Sequence, residues 1–246
     1  MPARLKFIVA YDGGPFAGWQ SQARGDTIQD RLERAFREVG GQRVRVHGAG
    51  RTDAGVHALA QCAHVDLADR NFPKEKWTAA LNAFLPPTIR VLRCNYVDPK
   101  FHARFSAKGK VYRYRISNAP ILSPFEKGRA WHVIRPLDFD TMAEAAAHFI
   151  GKHDFARFTA NRGTPAQDTV RTIHDARARR AGSLITIEFD GDGFLYKMAR
   201  LMSGALVQCG LGKIRARQIV DLLRLQNAKQ RVVAPAEGLF LVRVRY

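Results

Sequence analysis

The sequence lacks the features that mark disulfide-rich, zinc-binding and membrane-spanning proteins. It has three cysteines, Cys62, Cys94 and Cys209, and none of them forms a C-x-x-C pair, so neither a disulfide framework nor a zinc site is expected. No stretch approaches the roughly 20 apolar residues that cross a bilayer, and the N-terminal residues lack the apolar core of a secretory signal. These absences predict a cytosolic protein.

Acidic residues are also scarce. The 246 residues include 22 Asp and Glu against 40 Lys and Arg, which gives a net charge of +18. A surface this positive attracts polyanions, and the partner it favours for a globular protein is nucleic acid. Arginine, which outnumbers lysine here, can bind phosphate through two N–H groups and can stack on a base. A merely basic protein, or one that binds anionic membranes, is the alternative that charge alone leaves open.

The order of predicted elements repeats along the chain. Apolar spacing and turn residues predict β-α-β-β-α-β twice, the ferredoxin-like order. The predicted strands are 5–11, 43–47, 60–67, 89–97, 110–117, 172–179, 184–189 and 239–244, and the helices are 28–39, 74–84, 139–150, 194–209 and 216–225. We therefore expect an α+β fold of two ferredoxin-like halves, residues 1–105 and 106–246. The halves are expected to join into a mixed, mainly antiparallel sheet with helices on one face and a central cleft.

The segment GRTDAGVH, residues 50–57, is the most informative motif. It lies between two predicted strands, and its glycines allow a tight loop that other groups can approach closely. An aspartate before Ala-Gly is by itself more typical of a turn, in which the carboxylate binds its own backbone, than of catalysis. The complete eight-residue string is much less common than Asp-Ala-Gly.

This segment resembles the active-site motif of the TruA family of tRNA pseudouridine synthases, and the resemblance extends over almost the full chain. The other similar segments are, in chain order, YDG at 11–13 with Phe16, GWQ at 18–20, FHARFSA at 101–107, YRY at 112–114, GFLY at 193–196 with Arg200, and EGL at 237–239. Several blocks in the same order argue against chance similarity.

The resemblance implies that Asp53 is the catalytic aspartate. The reaction breaks the N1–C1′ bond of a uridine, rotates the uracil and joins C5 to C1′. A carboxylate could attack the sugar or assist deprotonation at C2′, and the sequence leaves both routes open. Because no redox change or phosphate transfer occurs, no cofactor and no metal are expected. The resemblance also implies a tRNA substrate, uridines at tRNA positions 38 to 40 in the anticodon stem-loop, and a homodimer that binds one tRNA across both subunits.

Arg200 and Tyr112 are the main candidates for holding the substrate beside Asp53. Burial disfavours a charged carboxylate, so a nearby cation is needed, and the resemblance gives this role to Arg200. Without it, Arg200 and Lys197 could equally form a solvated stripe on their helix. Tyr112 would stack on the uracil once that base leaves its helix, although on pattern alone it could be a core residue.

Arg51 and Arg104 are further candidates for substrate binding. Each could hold RNA, and each could instead be the partner of a structural ion pair. His57 is expected to be a hydrogen-bonded structural residue. His102, in the same block as Arg104, is a weaker candidate. The six remaining histidines show no ligand spacing and receive no role.

Two other function classes fit the charge less well. A non-catalytic RNA-recognition module would carry exposed aromatic residues in an RNP-type string on its central strands, and the sequence has no such string. A metal-dependent nuclease would cluster several carboxylates, whereas Asp53 has no acidic residue close to it in sequence.

Overall fold

The chain folds into two compact units. The computed structural model describes residues 3–23, 25–41, 43–68, 72–160, 168–224 and 232–246. One unit comprises Met1–Lys108 with Phe240–Tyr246, and the other comprises Gly109–Leu239. The expected halves met after residue 105 and the second ran to residue 246. In the structure the second unit begins after Lys108, and nearly all of the last strand belongs to the first unit. No helix among the described residues is long and apolar enough to cross a membrane.

The described residues form ten strands and five α-helices, so the predicted α+β class is confirmed. The strands are β1 (Ala3–Tyr11), β2 (His47–Gly48), β3 (His57–Leu67), β4 (Ile89–Val97), β5 (Gly109–Ser117), β6 (Trp131–His132), β7 (Gly151–Asp154), β8 (Val170–Ala181), β9 (Leu184–Gly191) and β10 (Leu239–Arg245). The helices are α1 (Ile28–Gly40), α2 (Lys74–Phe84), α3 (Phe139–Ala147), α4 (Met198–Gly210) and α5 (Gln218–Arg224).

Several predicted boundaries were wrong for local reasons. The strand expected at 43–47 is reduced to β2, since the Val46 N–H donates to the Glu33 side chain of α1 at 2.9 Å instead of joining a ladder. The helix expected from Phe194 begins only at Met198, because Lys197 has a φ of 60° that a right-handed helix does not accept. The predicted end of the last helix, Leu225, lies outside the described residues.

The sheet of the first unit has the ferredoxin-like arrangement. β1 pairs antiparallel with both β3 and β4, and β2 pairs antiparallel with β3. β10 adds a parallel strand to β3, with Phe240 opposite His57. Alternate β1 residues are buried because α1 and α2 cover one face, where the Phe7, Phe36 and Trp77 rings follow one another at 5.4 Å.

The opposite face of this sheet is covered by loops and by the C-terminal residues. Ala49, Cys62 and Ala103 form a small buried cluster there. Four partly buried side chains pack against it: Ile8, Phe101, Val244 and Tyr246. Both faces of β3 are therefore buried over much of its length, and the loop around residue 103 is anchored to the sheet.

The sheet of the second unit has the order β5-β9-β8-β7, with all neighbours antiparallel and β6 added parallel to β5. The helix α3 packs on β8 and against α4. Phe149 follows α3 and packs edge-on against Phe158 and Phe189 in the buried core. The unit thus supplies a rigid support for residues on β5 and α4.

Candidate active site

Asp53 lies in the loop that joins β2 to β3. The Val56 N–H donates to the Asp53 carbonyl at 3.1 Å, and Gly55 takes a positive φ of 78°, so the backbone turns sharply after the aspartate. Thr52 and Val56 are buried, whereas Asp53 is half-buried. A backbone turn is therefore present at Asp-Ala-Gly, closed by the Asp53 carbonyl, and Asp53 remains partly accessible.

The backbone of this loop is braced by distant parts of the first unit. The Trp19 N–H donates to the Thr52 carbonyl at 3.0 Å, and the hydroxyls of Tyr11 and Thr52 are 2.8 Å apart. The Gln61 side chain donates to the Gly50 carbonyl at 2.8 Å. Hydrogen bonds thus fix the residue directly before Asp53 and the start of the loop.

Two glycines allow the segment after β1 to approach the Asp53 loop this closely. A Cβ on Gly13 would lie 2.0 Å from the Val56 carbonyl oxygen. A Cβ on Gly18 would lie 2.8 Å from the Thr52 carbonyl oxygen, and Gly18 also has a φ of 97°. The sequence blocks YDG and GWQ, which lie far ahead of the loop in the chain, are therefore part of its support.

His57 ends the loop on its buried side. Its ring stacks on Phe240 with centroids 4.5 Å apart. The Gly13 N–H donates to Nδ1 at 3.1 Å, and an Asp12 carboxylate oxygen lies at the same distance from that nitrogen. His57 is hydrogen-bonded and buried, which fits the structural role expected for it.

Arg51 and Arg104 are exposed in the first unit on different loops. Arg51 donates from Nε to the Gln20 side chain at 3.1 Å. Arg104 lies in the loop that follows β4, and its guanidinium is 5.6 Å from the centre of the Phe105 ring. Arg51 therefore shares the loop of Asp53, whereas Arg104 belongs to a separate surface segment.

Tyr112 lies on β5 of the second unit and is buried, with 7% of its surface exposed. The edge of the Phe194 ring packs against it with centroids 4.8 Å apart. Tyr114, two residues on, is fully buried and donates its hydroxyl to the Pro235 carbonyl at 2.8 Å. Burial raises the Tyr114 pKa above its ordinary value. Tyr114 is thus a core residue, and Tyr112 sits beside it on the same face of the strand.

Arg200 lies in the first turns of α4, in the second unit. Its Nε donates to the Ala234 carbonyl at 2.7 Å, and the Ala234 N–H donates back to the Arg200 carbonyl at 3.2 Å. The side chain thus holds the segment that leads towards β10. The expected pairing of Arg200 with Asp53 stays a prediction.

The comparisons with known proteins agree with the resemblance seen in the sequence. The family model described as tRNA pseudouridine synthase matches residues 7–106 and 145–246. The tRNA pseudouridine synthase A of Akkermansia muciniphila is 49% identical over 253 residues, which cover 99% of this chain and 95% of that protein. The enzyme of the same name from Acetivibrio thermocellus is 43% identical over 243 residues, with 98% and 99% covered.

This chain belongs to the tRNA pseudouridine synthase family. It is therefore an isomerase. A solved structure of a Cbf5–Nop10–Gar1 complex has a chain that aligns with a TM-score of 0.41 and 11% identity, covering 97% of this chain and 49% of the other.

The synthase also contains a histidine cluster that the sequence spacing did not reveal. The rings of His47, His64 and His102 lie 4.7 to 5.8 Å apart. β2 and β3 bring two of them together, since His47 is opposite His64 in the antiparallel register. Within the described residues, no group of histidine, cysteine and carboxylate side chains is arranged to hold a metal ion.

Burial keeps the central ring of this cluster neutral. His64 is 1% exposed, and its pKa falls to about 4 because of desolvation first and then because of Arg4, His102 and His47. Its Nδ1 accepts the Ala103 N–H at 3.1 Å. The His64 ring thus acts as a hydrogen-bond acceptor that anchors the loop carrying Arg104.

Proposed function

We propose that this synthase converts uridine to pseudouridine at positions 38, 39 and 40 of the tRNA anticodon stem-loop. Asp53 is the catalytic carboxylate in this proposal, and no cofactor takes part. The observation that carries it is the braced Asp53 loop, in which Tyr11 and Trp19 hold Thr52 while the neighbouring carboxylate remains half-buried. A rigid backbone favours catalysis because the reacting group is positioned before the substrate arrives.

The Asp53 carboxylate has two chemical routes. It can attack C1′ of the ribose as the uracil departs, or it can take a proton from C2′. In the first route the bond between the carboxylate and C1′ breaks as C5 of the rotated uracil bonds to C1′, and in the second the proton returns to C2′ as that bond forms. In both routes C5 then loses its proton and N1 takes one up, which restores the ring. Both need an ionised carboxylate, so the proposal pairs Asp53 with the Arg200 guanidinium in the substrate complex.

Tyr112 receives the uracil in this proposal. An aromatic ring offsets part of the few kcal/mol that unstacking a base costs. The edge-on contact with Phe194 supports this role because it fixes the plane of the Tyr112 ring. The exposed side chains of Arg51 and Arg104 bind the RNA, in keeping with the net charge of +18. We further propose that two copies of the chain bind one tRNA and that the enzyme works in the cytoplasm.

The test is to incubate the protein with unmodified tRNA and to map pseudouridine. We expect wild-type protein to modify positions 38 to 40, and we expect Asp53→Asn and Asp53→Ala to lower the rate by about 10²–10⁴-fold or more. Both variants should bind tRNA as tightly as the wild type, since the carboxylate serves chemistry rather than affinity. The matched control is Asp98→Asn, which changes an exposed carboxylate of the same unit.

Three results would contradict the proposal. The first is an absence of product with wild-type protein, and the second is full activity of Asp53→Ala. The third is a product confined to other uridines, which would leave the family assignment intact but overturn the proposed substrate positions.

A further inference from the structure

The loop that follows β4 holds an aromatic ring out into solvent. Phe105 is 77% exposed, although a large apolar side chain usually finds cover in a folded unit. The loop backbone is nevertheless well fixed. His102 accepts the Arg104 and Phe105 N–H groups on Nδ1 at 3.1 and 3.3 Å, and the Ser106 N–H donates to the His102 carbonyl at 2.9 Å. The exposure of Phe105 is therefore built into the loop geometry.

A continuous set of contacts connects this ring to the core. The Phe105 ring lies 4.4 Å from the His102 ring, which packs edge-on against the buried His64 ring at 4.7 Å. Ala103 lies between His102 and Phe105 in the chain. It is fully buried, and its carbonyl accepts a hydrogen bond from the Tyr246 hydroxyl at 2.7 Å. Phe105 is thus a rigid projection from the sheet, with little conformational entropy left to lose on binding.

The Phe105 ring has an arginine beside it, and further basic residues are exposed nearby in sequence or on a neighbouring segment. The Arg104 guanidinium lies 5.6 Å from the ring centre, and Lys108 is exposed at the end of the same loop. Arg45 is exposed two residues before His47, whose ring is 5.8 Å from that of His102. An exposed aromatic ring beside an arginine matches a nucleotide, which offers a π-face to the ring and a phosphate to the arginine.

We propose that Phe105 stacks on an unpaired base of the RNA loop and that Arg104 binds the phosphate beside it. This inference rests on the proposed tRNA substrate and adds a second base contact, separate from the uridine that reacts at Asp53. An apolar protein surface would suit the ring but not the arginine beside it. A second copy of this chain, also net positive, lacks the charge complementarity that RNA provides.

The first experiment measures the affinity of Asp53→Asn protein for an anticodon stem-loop RNA, so that turnover is too slow to change the RNA during the measurement. Adding Phe105→Leu should weaken binding by about 5- to 140-fold, the range for loss of one stacked base. Adding Phe105→Trp should preserve the affinity. The matched control is Phe84→Leu in the same unit, because Phe84 is a 53% exposed phenylalanine at the end of α2. It should leave RNA binding unchanged.

The second experiment asks whether a base is the partner. Loop nucleotides of the RNA are replaced one at a time by abasic residues. At one position the abasic change should weaken binding to the Asp53→Asn protein, and it should add nothing when Phe105→Leu is also present. Replacing Arg104 with Gln should reduce the salt dependence of binding by about one phosphate contact, which Phe105→Leu should not do.

The proposal fails if Phe105→Leu binds as well as the parent protein, or if its loss is the same for every abasic RNA. It also fails if Phe105→Leu changes the mass of the protein in solution while RNA affinity is kept, since the ring would then contact a second copy. The Asp53 function is judged separately by pseudouridine formation with wild-type protein. A Phe105-dependent affinity without product would refute the function alone.

Discussion

Protonation of His64 should destabilise the first unit in a way that one substitution can isolate. The ring is buried among His47, His102 and Arg4, and it serves as an acceptor for the Ala103 N–H. A charged imidazole there would lack water and could no longer accept that bond, and it would meet three basic neighbours whose effect the Asp66 carboxylate offsets only in part. Replacing His64 with Asn keeps an acceptor oxygen near the position of Nδ1 and removes the titrating ring.

The size and direction of this pH-dependent change in stability follow from the pKa of His64 in the folded and in the unfolded chain. His64 has a pKa of about 4 in the folded protein and 6.5 as the ordinary value of an exposed histidine. Between these values the unfolded chain binds more protons, so acid favours unfolding. The contribution of neutral His64 to the free energy of unfolding is fully present above pH 6.5, shrinks as the pH falls towards 4 and is lost below pH 4. The difference corresponds to about 3 kcal/mol, at about 1.4 kcal/mol for each pH unit.

The assay is urea unfolding of wild type and His64→Asn at about pH 7.5 and about pH 4, a range that spans both values. Other titrating groups contribute to both proteins, so only the difference in their pH-dependent loss is compared. We expect wild type to lose about 3 kcal/mol more than His64→Asn. The matched control, His174→Asn, alters an exposed histidine and should lose as much stability between the two pH values as wild type does. Equal losses for wild type and His64→Asn would refute the reasoning.

Two further predictions concern the active site itself. Tyr112→Phe should retain more pseudouridine formation than Tyr112→Leu, by about tenfold, because stacking needs the ring; equal rates in a tRNA assay would count against the stacking role. Gly13→Ala should cost at least about 1–3 kcal/mol of stability and lower the rate, because its Cβ meets the Val56 carbonyl. The control is Gly14→Ala, whose Cβ meets only the Asp12 side chain. Both variants are compared in thermal unfolding and in the activity assay. Identical behaviour of the two would show that the Gly13 contact is unimportant.

The sequence predicted those parts of the fold that local chemistry determines. The helix α1 is an example, since Thr27 accepts the Asp30 N–H at its start and Gly41 adopts φ 65° at its end. The Asp-Ala-Gly turn is another. In both cases the deciding contacts join residues a few positions apart, and residue types at those positions report them directly.

Features that depend on distant contacts could not be predicted in the same way. The histidine cluster exists because strand register sets His47 opposite His64 and a later loop brings His102 to them. The bracing of Thr52 by Tyr11 and Trp19 is similar, although the close-approach glycines at 13 and 18 were a visible signal of it. The contraction of β2 depended on a single side-chain acceptor, Glu33, that competes with the ladder.

The position of β10 has a consequence for synthesis of the chain on the ribosome. Residues 109–239 form an insertion between β4 and the strand that completes the first unit. Chains fold from the N-terminus as they emerge, whereas the stacked ring and the parallel strand partner of His57 both come from Phe240, near the end of the chain. The His57 end of the loop that carries Asp53 therefore gains this stacking and strand pairing only after the whole second unit has been translated, whereas its hydrogen bond from Gly13 can form earlier.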